Sequence, residues 1–296
     1  MEHARLPRFK RSPDISPVRL TDRDGEILQC LHRHRFLRSD HITALVSGSR
    51  QQVLRRLQRL YHHGYLERPC CQIDHYQSGS RRMAYGLGNK GAAWIKCQLS
   101  PPFRKLDWKQ KNYVGKLFLE HALMVSDIMV ALELACRNRP DIRLLSADDL
   151  KIPKMREPFQ WQVDIGHRQK IGVIPDRVFG LELNGKTSWY CLEADRGTMP
   201  ITRCDLEQTS IQRKLRAYEA TWSQNIHRTK FGWQRYRVLT VTTSSQRVQG
   251  MKEACQGLTH GHGLFLFLDA ANLKKNGDIL TIQWQTCQLD KTEILT

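Results

Sequence analysis

A mixed α/β protein in two parts is the expectation from these 296 residues. Positive charge gathers in the first hundred or so residues, and apolar residues recur there at helical spacing. Beyond them, short apolar runs of strand character alternate with amphipathic helices, the pattern of an α/β domain built on a mixed sheet.

The charge asymmetry is the broadest signal. The chain carries 47 Lys+Arg against 29 Asp+Glu, a net charge of +18. Residues 1–112 hold 22 basic and 9 acidic side chains, net +13, and residues 113–296 hold 25 and 20, net +5. A folded chain with one strongly basic part favours a polyanionic partner. An apolar fraction of 40% with 11 Pro and 19 Gly excludes a collagenous or wholly disordered chain. No apolar run is long enough to span a bilayer, so no membrane partner is expected. The N-terminus lacks the apolar stretch of a secretory signal. Nine cysteines without a CxxC pair fit reduced thiols and a cytoplasmic location.

The elements follow in order. Residues 1–19, with Pro7, Pro13 and Pro17 among Arg and Lys, read as a flexible basic arm. Thr21 caps a helix from about Asp22, and Asp24 compensates its dipole. Ser39 caps a short second helix, Ser47-Gly48 turns, and Ser49 caps a third helix running to Gly64. Val53, Leu54, Leu57, Leu60 and Tyr61 mark its buried side. Gln51, Gln52, Arg55, Gln58, Arg59 and His62 project opposite, and the forked donors of Arg and Gln suit base edges and phosphates. Two short strands around residues 64–68 and 83–87 frame a Gly/Ser turn with Arg81 and Arg82 placed to reach phosphates or a minor groove. Residues 20–100 are therefore expected to form a winged helix-turn-helix that binds double-stranded DNA through Gln51, Gln52, Arg55, Arg59, Arg81 and Arg82. Ser100-Pro101-Pro102 breaks the pattern, so residues 101–112 read as a linker.

Residues 113–296 form the α/β part, opening with a helix from Tyr113 to about Asn138. Strands are expected at Ile142–Leu145, Ile171–Phe179, Trp189–Ala194, Val238–Thr242 and Leu264–Leu268, with an edge strand at Ile279–Cys287. Helices are expected from Ser210 to about Ser223 and from Ser245 to about Gln256. Glu193 and Asp195 fall on one face of their strand, because side chains alternate. With Asp176 on a neighbouring strand, three carboxylates converge as oxygen ligands for Mg²⁺ or Mn²⁺.

Ile174-Pro175-Asp176, Glu193-Ala194-Asp195-Arg196-Gly197-Thr198, Lys214 and Tyr218 resemble the plasmid replication-relaxation family, as do Leu20-Thr21-Asp22-Arg23-Asp24 and the helices after them. The resemblance covers residues from about 20 to about 245. It implies a winged helix-turn-helix joined to a PD-(D/E)xK-nuclease-like core, acting on the origin DNA of a plasmid or mobile element alongside other replication or mobilisation proteins. It also implies that Asp176 and Glu193 are the metal-binding carboxylates of a phosphodiester-nicking site. The lysine such a core carries two positions after Glu193 is Asp195 here, and Lys214, at the edge of the packed face of its helix, is the best substitute. A covalent route through Tyr113, Tyr190, Tyr218 or Tyr236 stays open, as does a non-catalytic replication accessory or transcriptional regulator with a degenerate core.

Overall fold

The computed structural model describes residues 7–12, 16–73, 82–98, 114–146, 159–165, 170–204, 208–288 and 291–295. It divides into two compact units, Met1–Val130 and Ala131–Thr296. The mixed α/β class holds.

The first unit has helices α1 (Asp22–His34), α2 (Ser39–Leu45), α3 (Arg50–His62) and α4 (Asn89–Gln98), with strands β1 (Phe36–Arg38), β2 (Leu66–Glu67) and β3 (Ala84–Leu87). Asp24 reaches back to Thr21, whose backbone N–H and hydroxyl each donate to Oδ2 at 2.8 Å, closing the start of α1. Asp24 is fully buried, and Arg56 of α3 donates through Nε to its Oδ1 at 2.8 Å, locking α1 to α3. Ser49 caps α3 by accepting from the N–H of Gln52, after a turn in which Gly48 takes φ 108°. At α2 the cap lies one residue earlier than expected: Arg38 is the N-cap, and its N–H donates to His41 Nδ1 at 3.3 Å.

The three strands form an antiparallel sheet in the order β1-β3-β2. Strand β1 is an addition to the two expected strands. Three residues between two helices are too short to display alternation, and only the partner across the ladder, Leu37 opposite Tyr85, defines them.

The long helix α5 (Lys116–Arg137) differs from expectation in its allegiance, because the boundary between the units falls within it. Its first half belongs to the first unit. Leu119 and Leu123 pack with Phe36 and Ala84, and the buried Ser126 hydroxyl donates to Phe36 O at 2.6 Å. Asp127 pairs with Arg38 and with His41 Nε2. The expected linker, 101–112, lies outside the described residues.

The second unit holds a seven-stranded mixed sheet in the order β12-β11-β10-β9-β8-β7-β4. Its strands are β4 (Ile142–Leu145), β7 (Arg177–Leu183), β8 (Lys186–Ala194), β9 (Tyr236–Thr242), β10 (Phe265–Asp269), β11 (Trp284–Thr286) and β12 (Thr292–Glu293). The pairs β8–β9 and β9–β10 are parallel. Their crossovers carry α6 (Ile211–Ser223) with the short α7 (Ile226–Thr229), and then α8 (Ser245–Gln256). A last helix, α9 (Ala270–Asn276), follows β10. The core joins Leu215 and Tyr218 of α6 and Met251 of α8 to Cys191, Val238 and Phe267 of the sheet.

Two strand expectations are corrected. The run Ile171–Phe179 is two strands: β6 (Lys170–Val173) pairs antiparallel with β5 (Trp161–Asp164) in a separate two-stranded sheet, whereas β7 enters the large sheet. Pro175 lies in the break, where its missing N–H ends the ladder. Of Ile279–Cys287 only Trp284–Thr286 is strand, and β12 rather than β11 forms the edge.

Candidate functional site

Strand β8 lies inside the sheet and ends in Glu193 and Ala194, with Asp195 just beyond. Asp176 sits one residue before β7 and clamps this end. Its N–H donates to Leu192 O at 3.0 Å, and its Oδ2 accepts from the N–H of Ala194 at 2.8 Å. Both links cross between antiparallel neighbours, so the register Arg177 opposite Leu192 brings Asp176 beside Glu193.

Glu193 is only 7% exposed and both its oxygens are engaged by α6. Lys214 Nζ donates to Oε2 at 2.6 Å, and the Tyr218 hydroxyl donates to Oε1 at 2.6 Å. Lysine and tyrosine four residues apart share one helix face, so a single helix supplies both donors. Burial pushes the Glu193 carboxyl above its ordinary pKa, the Lys214 charge pulls it down, and Asp176 pushes it up again. At Lys214 the lowering effect of burial is outweighed by Glu193, Asp176 and Asp195, and its pKa is raised. Of the three carboxylates, Glu193 is the one that receives a hydrogen bond from the ammonium, and Asp176 and Asp195 act on it electrostatically.

They are not equivalent. Asp195 is held by Arg247 of α8, whose Nη2 donates to Oδ1 at 3.0 Å and whose Nε donates to Oδ2. Thr242 Oγ1 also donates to Oδ2, at 2.6 Å, and the N–H of Gly197 donates to Oδ1 at 3.3 Å. Among the described residues no three His, Cys, Asp or Glu side chains form a group able to hold a metal ion. Mg²⁺ is commonly held by one or two carboxylates with water and substrate phosphate, and Asp176 beside Glu193 is the adjacent carboxylate pair at this end of β8. Glu193 and Asp195 alike have both oxygens on protein donors, so a cation at Glu193 would have to displace Lys214 or Tyr218, and one at Asp195 the fork of Arg247.

A cavity of about 250 Å³ opens over Glu193, Lys214 and Tyr218 and is bounded by β6, Met199 and the first turns of α6. Trp222 is 44% exposed in the last turn of α6. The tyrosines suggested as nucleophiles are buried and committed. Tyr190 donates to Leu295 O, Tyr218 to Glu193 and Tyr236 to Tyr218 O. Burial raises the pKa of all three, which opposes phenolate formation. Tyr113 lies outside the described residues.

On the first unit, Gln51, Gln52 and Arg55 are exposed along α3. Arg59 is half-buried, and its guanidinium donates to Pro17 O at 3.0 Å. His62, expected on the open face, is buried. The arm covers it: the N–H of Ser12 donates to His62 Nδ1 at 3.1 Å, Arg11 Nε donates to Tyr61 O at 3.0 Å, and Arg68 Nη1 donates to Arg8 O at 2.6 Å. A helical projection cannot register a covering stretch of chain from 50 residues upstream. Arg82 is exposed and pairs with Asp40, while Arg81 and the Gly/Ser turn lie outside the described residues.

Sequence reasoning missed Arg247 and Thr242, which lie 52 and 47 residues along the chain from Asp195. No helix among the described residues is long and apolar enough to cross a membrane. Comparison with curated proteins and with solved structures gives no match. A family model described as replication-relaxation matches residues 28–234, which takes in the second half of α1, α2, α3, the Glu193–Asp195 segment and α6. With more than half its length matched, the chain belongs to the replication-relaxation family.

Proposed function

We propose that this protein binds origin DNA of a plasmid or mobile element through its first unit and nicks a phosphodiester at Glu193 in the second. Membership of the replication-relaxation family supports the setting. Helices α1 to α3 with the β1-β3-β2 sheet are read as a winged helix-turn-helix, with Gln51, Gln52 and Arg55 of α3 facing the bases. Arg82 is read as a wing contact to phosphate.

One observation carries the catalytic reading: Lys214 Nζ lies 2.6 Å from Glu193, which Asp176 neighbours at the foot of a cavity. Two carboxylates and an ammonium around one point suit phosphodiester hydrolysis. In this reading Asp176 and Glu193 hold Mg²⁺ or Mn²⁺, which when bound supplies Lewis-acid polarisation of the phosphate and lowers the pKa of water. Lys214 stabilises the charge that develops on the phosphoryl oxygens, the part otherwise taken by a lysine at position 195. Tyr218 holds the Glu193 carboxylate in place. Asp195 fixes the end of the strand through Arg247.

A second reading, a DNA-binding replication accessory or regulator without catalysis, draws on the engagement of Asp195 by Arg247 and the lack of a three-ligand group among the described residues. Supercoiled plasmid carrying the cognate origin separates the two. With Mg²⁺ or Mn²⁺, the protein is expected to produce open circles, and Asp176→Ala and Glu193→Ala to produce none. Tight origin binding without metal-dependent nicking sinks the catalytic reading and leaves the binding one.

A further inference from the structure

The cavity over Glu193 has two unlike sides. Ile171 and Val173 of β6, Ile174 just after it and Met199 make one side apolar, and Arg213 and Lys214 of α6 make the other cationic. Ile174 is 54% exposed, an apolar side chain left in water where the cavity opens. Glu193, at 7% exposed, lies below the surface. A phosphate on the outside of an unbroken duplex does not reach a group sunk beneath a wall of isoleucine, so the reacting nucleotide has to come in.

The first turn of α6 does not itself supply an anion site. The N–H groups of Ile211 and Gln212 already donate to Pro200 O and Ile201 O at 3.0 and 2.9 Å, and that of Arg213 donates to Ser210 Oγ at 3.1 Å. Anionic contact therefore falls to the side chains of Arg213 and Lys214. A flat, largely apolar base joined to a phosphate carries both halves of the chemistry that the cavity presents.

From this juxtaposition we propose that the cavity takes one unstacked nucleotide of the DNA, its base against Ile171, Val173, Ile174 and Met199 and its phosphate against Arg213 and Lys214. The proposal rests on the reading of the protein as a DNA binder and narrows its substrate to locally melted or single-stranded DNA. Extruding a base from a stack is least costly where it is already unpaired, so the cavity favours such sites over continuous duplex.

The test uses the full chain in EDTA, so that binding is read without cleavage. Two duplexes of one sequence are compared by fluorescence anisotropy, one fully matched and one carrying a single-nucleotide bulge with 2-aminopurine at the bulge. The bulged duplex is expected to bind about tenfold more tightly, with a change in 2-aminopurine emission. Ile174→Asp and Arg213→Ala are each expected to cut that preference at least about threefold, whereas Arg55→Ala weakens both duplexes alike and preserves the ratio. Because Ile174 is exposed, its replacement does not threaten the fold. Equal affinity for the two duplexes, or a preference that survives both cavity variants, overturns the nucleotide cavity while leaving DNA binding intact. Failure to bind either duplex overturns the DNA reading and the cavity proposal together. Tight binding of free dTMP without any bulge preference identifies a free nucleotide as the occupant and also overturns the proposal.

Discussion

Arg247 Nη2 donates to Asp195 Oδ1 at 3.0 Å, tying the first turn of the helix Ser245–Gln256 to the end of the strand Lys186–Ala194. The same guanidinium donates to Met199 O, so one side chain fixes both the strand end and the segment that borders the cavity. That segment then receives the first N–H groups of the helix bearing Lys214. The side chains of Arg247 and Asp195 are 15% and 6% exposed, so the pair is shielded from water. Removing one partner of such a pair strands the other charge in a poor environment.

Arg247→Ala is accordingly expected to destabilise the protein by about 3–5 kcal/mol, measured by urea unfolding. Arg247→Lys retains the charge but not the fork and should lose part of that. If Asp195 held a metal instead, adding Mg²⁺ would restore stability to Arg247→Ala; no such recovery is expected.

Tyr218→Phe removes one donor from a buried carboxylate and nothing else of comparable size. The cost expected is about 1–3 kcal/mol, the range for leaving a buried acceptor unsatisfied. The Tyr218 hydrogen bond also holds the Glu193 pKa down against burial, so its loss should move the Glu193 titration further upward. Carboxyl-region NMR of the variant and the parent checks the direction. An unmoved titration would mean that the hydroxyl contributes packing alone.

The pH dependence of the first unit turns on His62. Its Nδ1 accepts from Ser12 N–H, which requires the neutral ring, and burial, followed by the charges of Arg68, His63 and Arg11, lowers its pKa below 6.5. A histidine depressed in the folded state contributes stability that is present in full above its unfolded value of about 6.5. That stability is lost as the pH falls from there through the lower folded pKa. Thermal unfolding across pH 5–8 should show this acid-side loss in the parent and a shallower one in His62→Gln. Identical slopes would remove His62 from the account.

What was legible in the sequence was what lies close along the chain. Thr21 and Asp24 announce a helix start three residues apart, Ser49 and Ser210 announce two more, and Lys214 with Tyr218 share a face at a spacing of one turn. Strand alternation put Glu193 and Asp195 on one face of their strand. What stayed hidden depends on partners far away in sequence. Arg247 and Asp195 are 52 residues apart, and no local pattern pairs them. The strand Phe36–Arg38 exists because Ala84–Leu87 lies beside it, and Trp161–Asp164 because Lys170–Val173 does. The arm belongs with these distant partners. Proline and arginine suggested a free tail, yet Arg11, Ser12 and Pro17 are hydrogen-bonded to Tyr61, His62 and Arg59.

That seated arm divides the helix Arg50–His62 into an open first half and a covered second half, which leads to the last prediction. Arg59 spends a guanidinium nitrogen on Pro17 O, whereas Gln51, Gln52 and Arg55 stand exposed in the first half of the helix. On the proposed DNA-binding reading, base contacts therefore fall to the first half. Arg55→Ala should cost about 1–3 kcal/mol against the cognate site and relax its sequence preference, if the guanidinium reads a base bidentately. Arg82→Ala should weaken cognate and random DNA alike and lower the salt slope by about one, as a phosphate contact does. Arg59→Ala should change specificity less than Arg55→Ala, because its fork is partly committed within the protein. Anisotropy titrations of cognate and scrambled duplexes at several salt concentrations distinguish the three. Were Arg59 to govern specificity and Arg55 to be silent, the arm would have to leave its seat on binding, and the surface read by DNA would be the one it now covers.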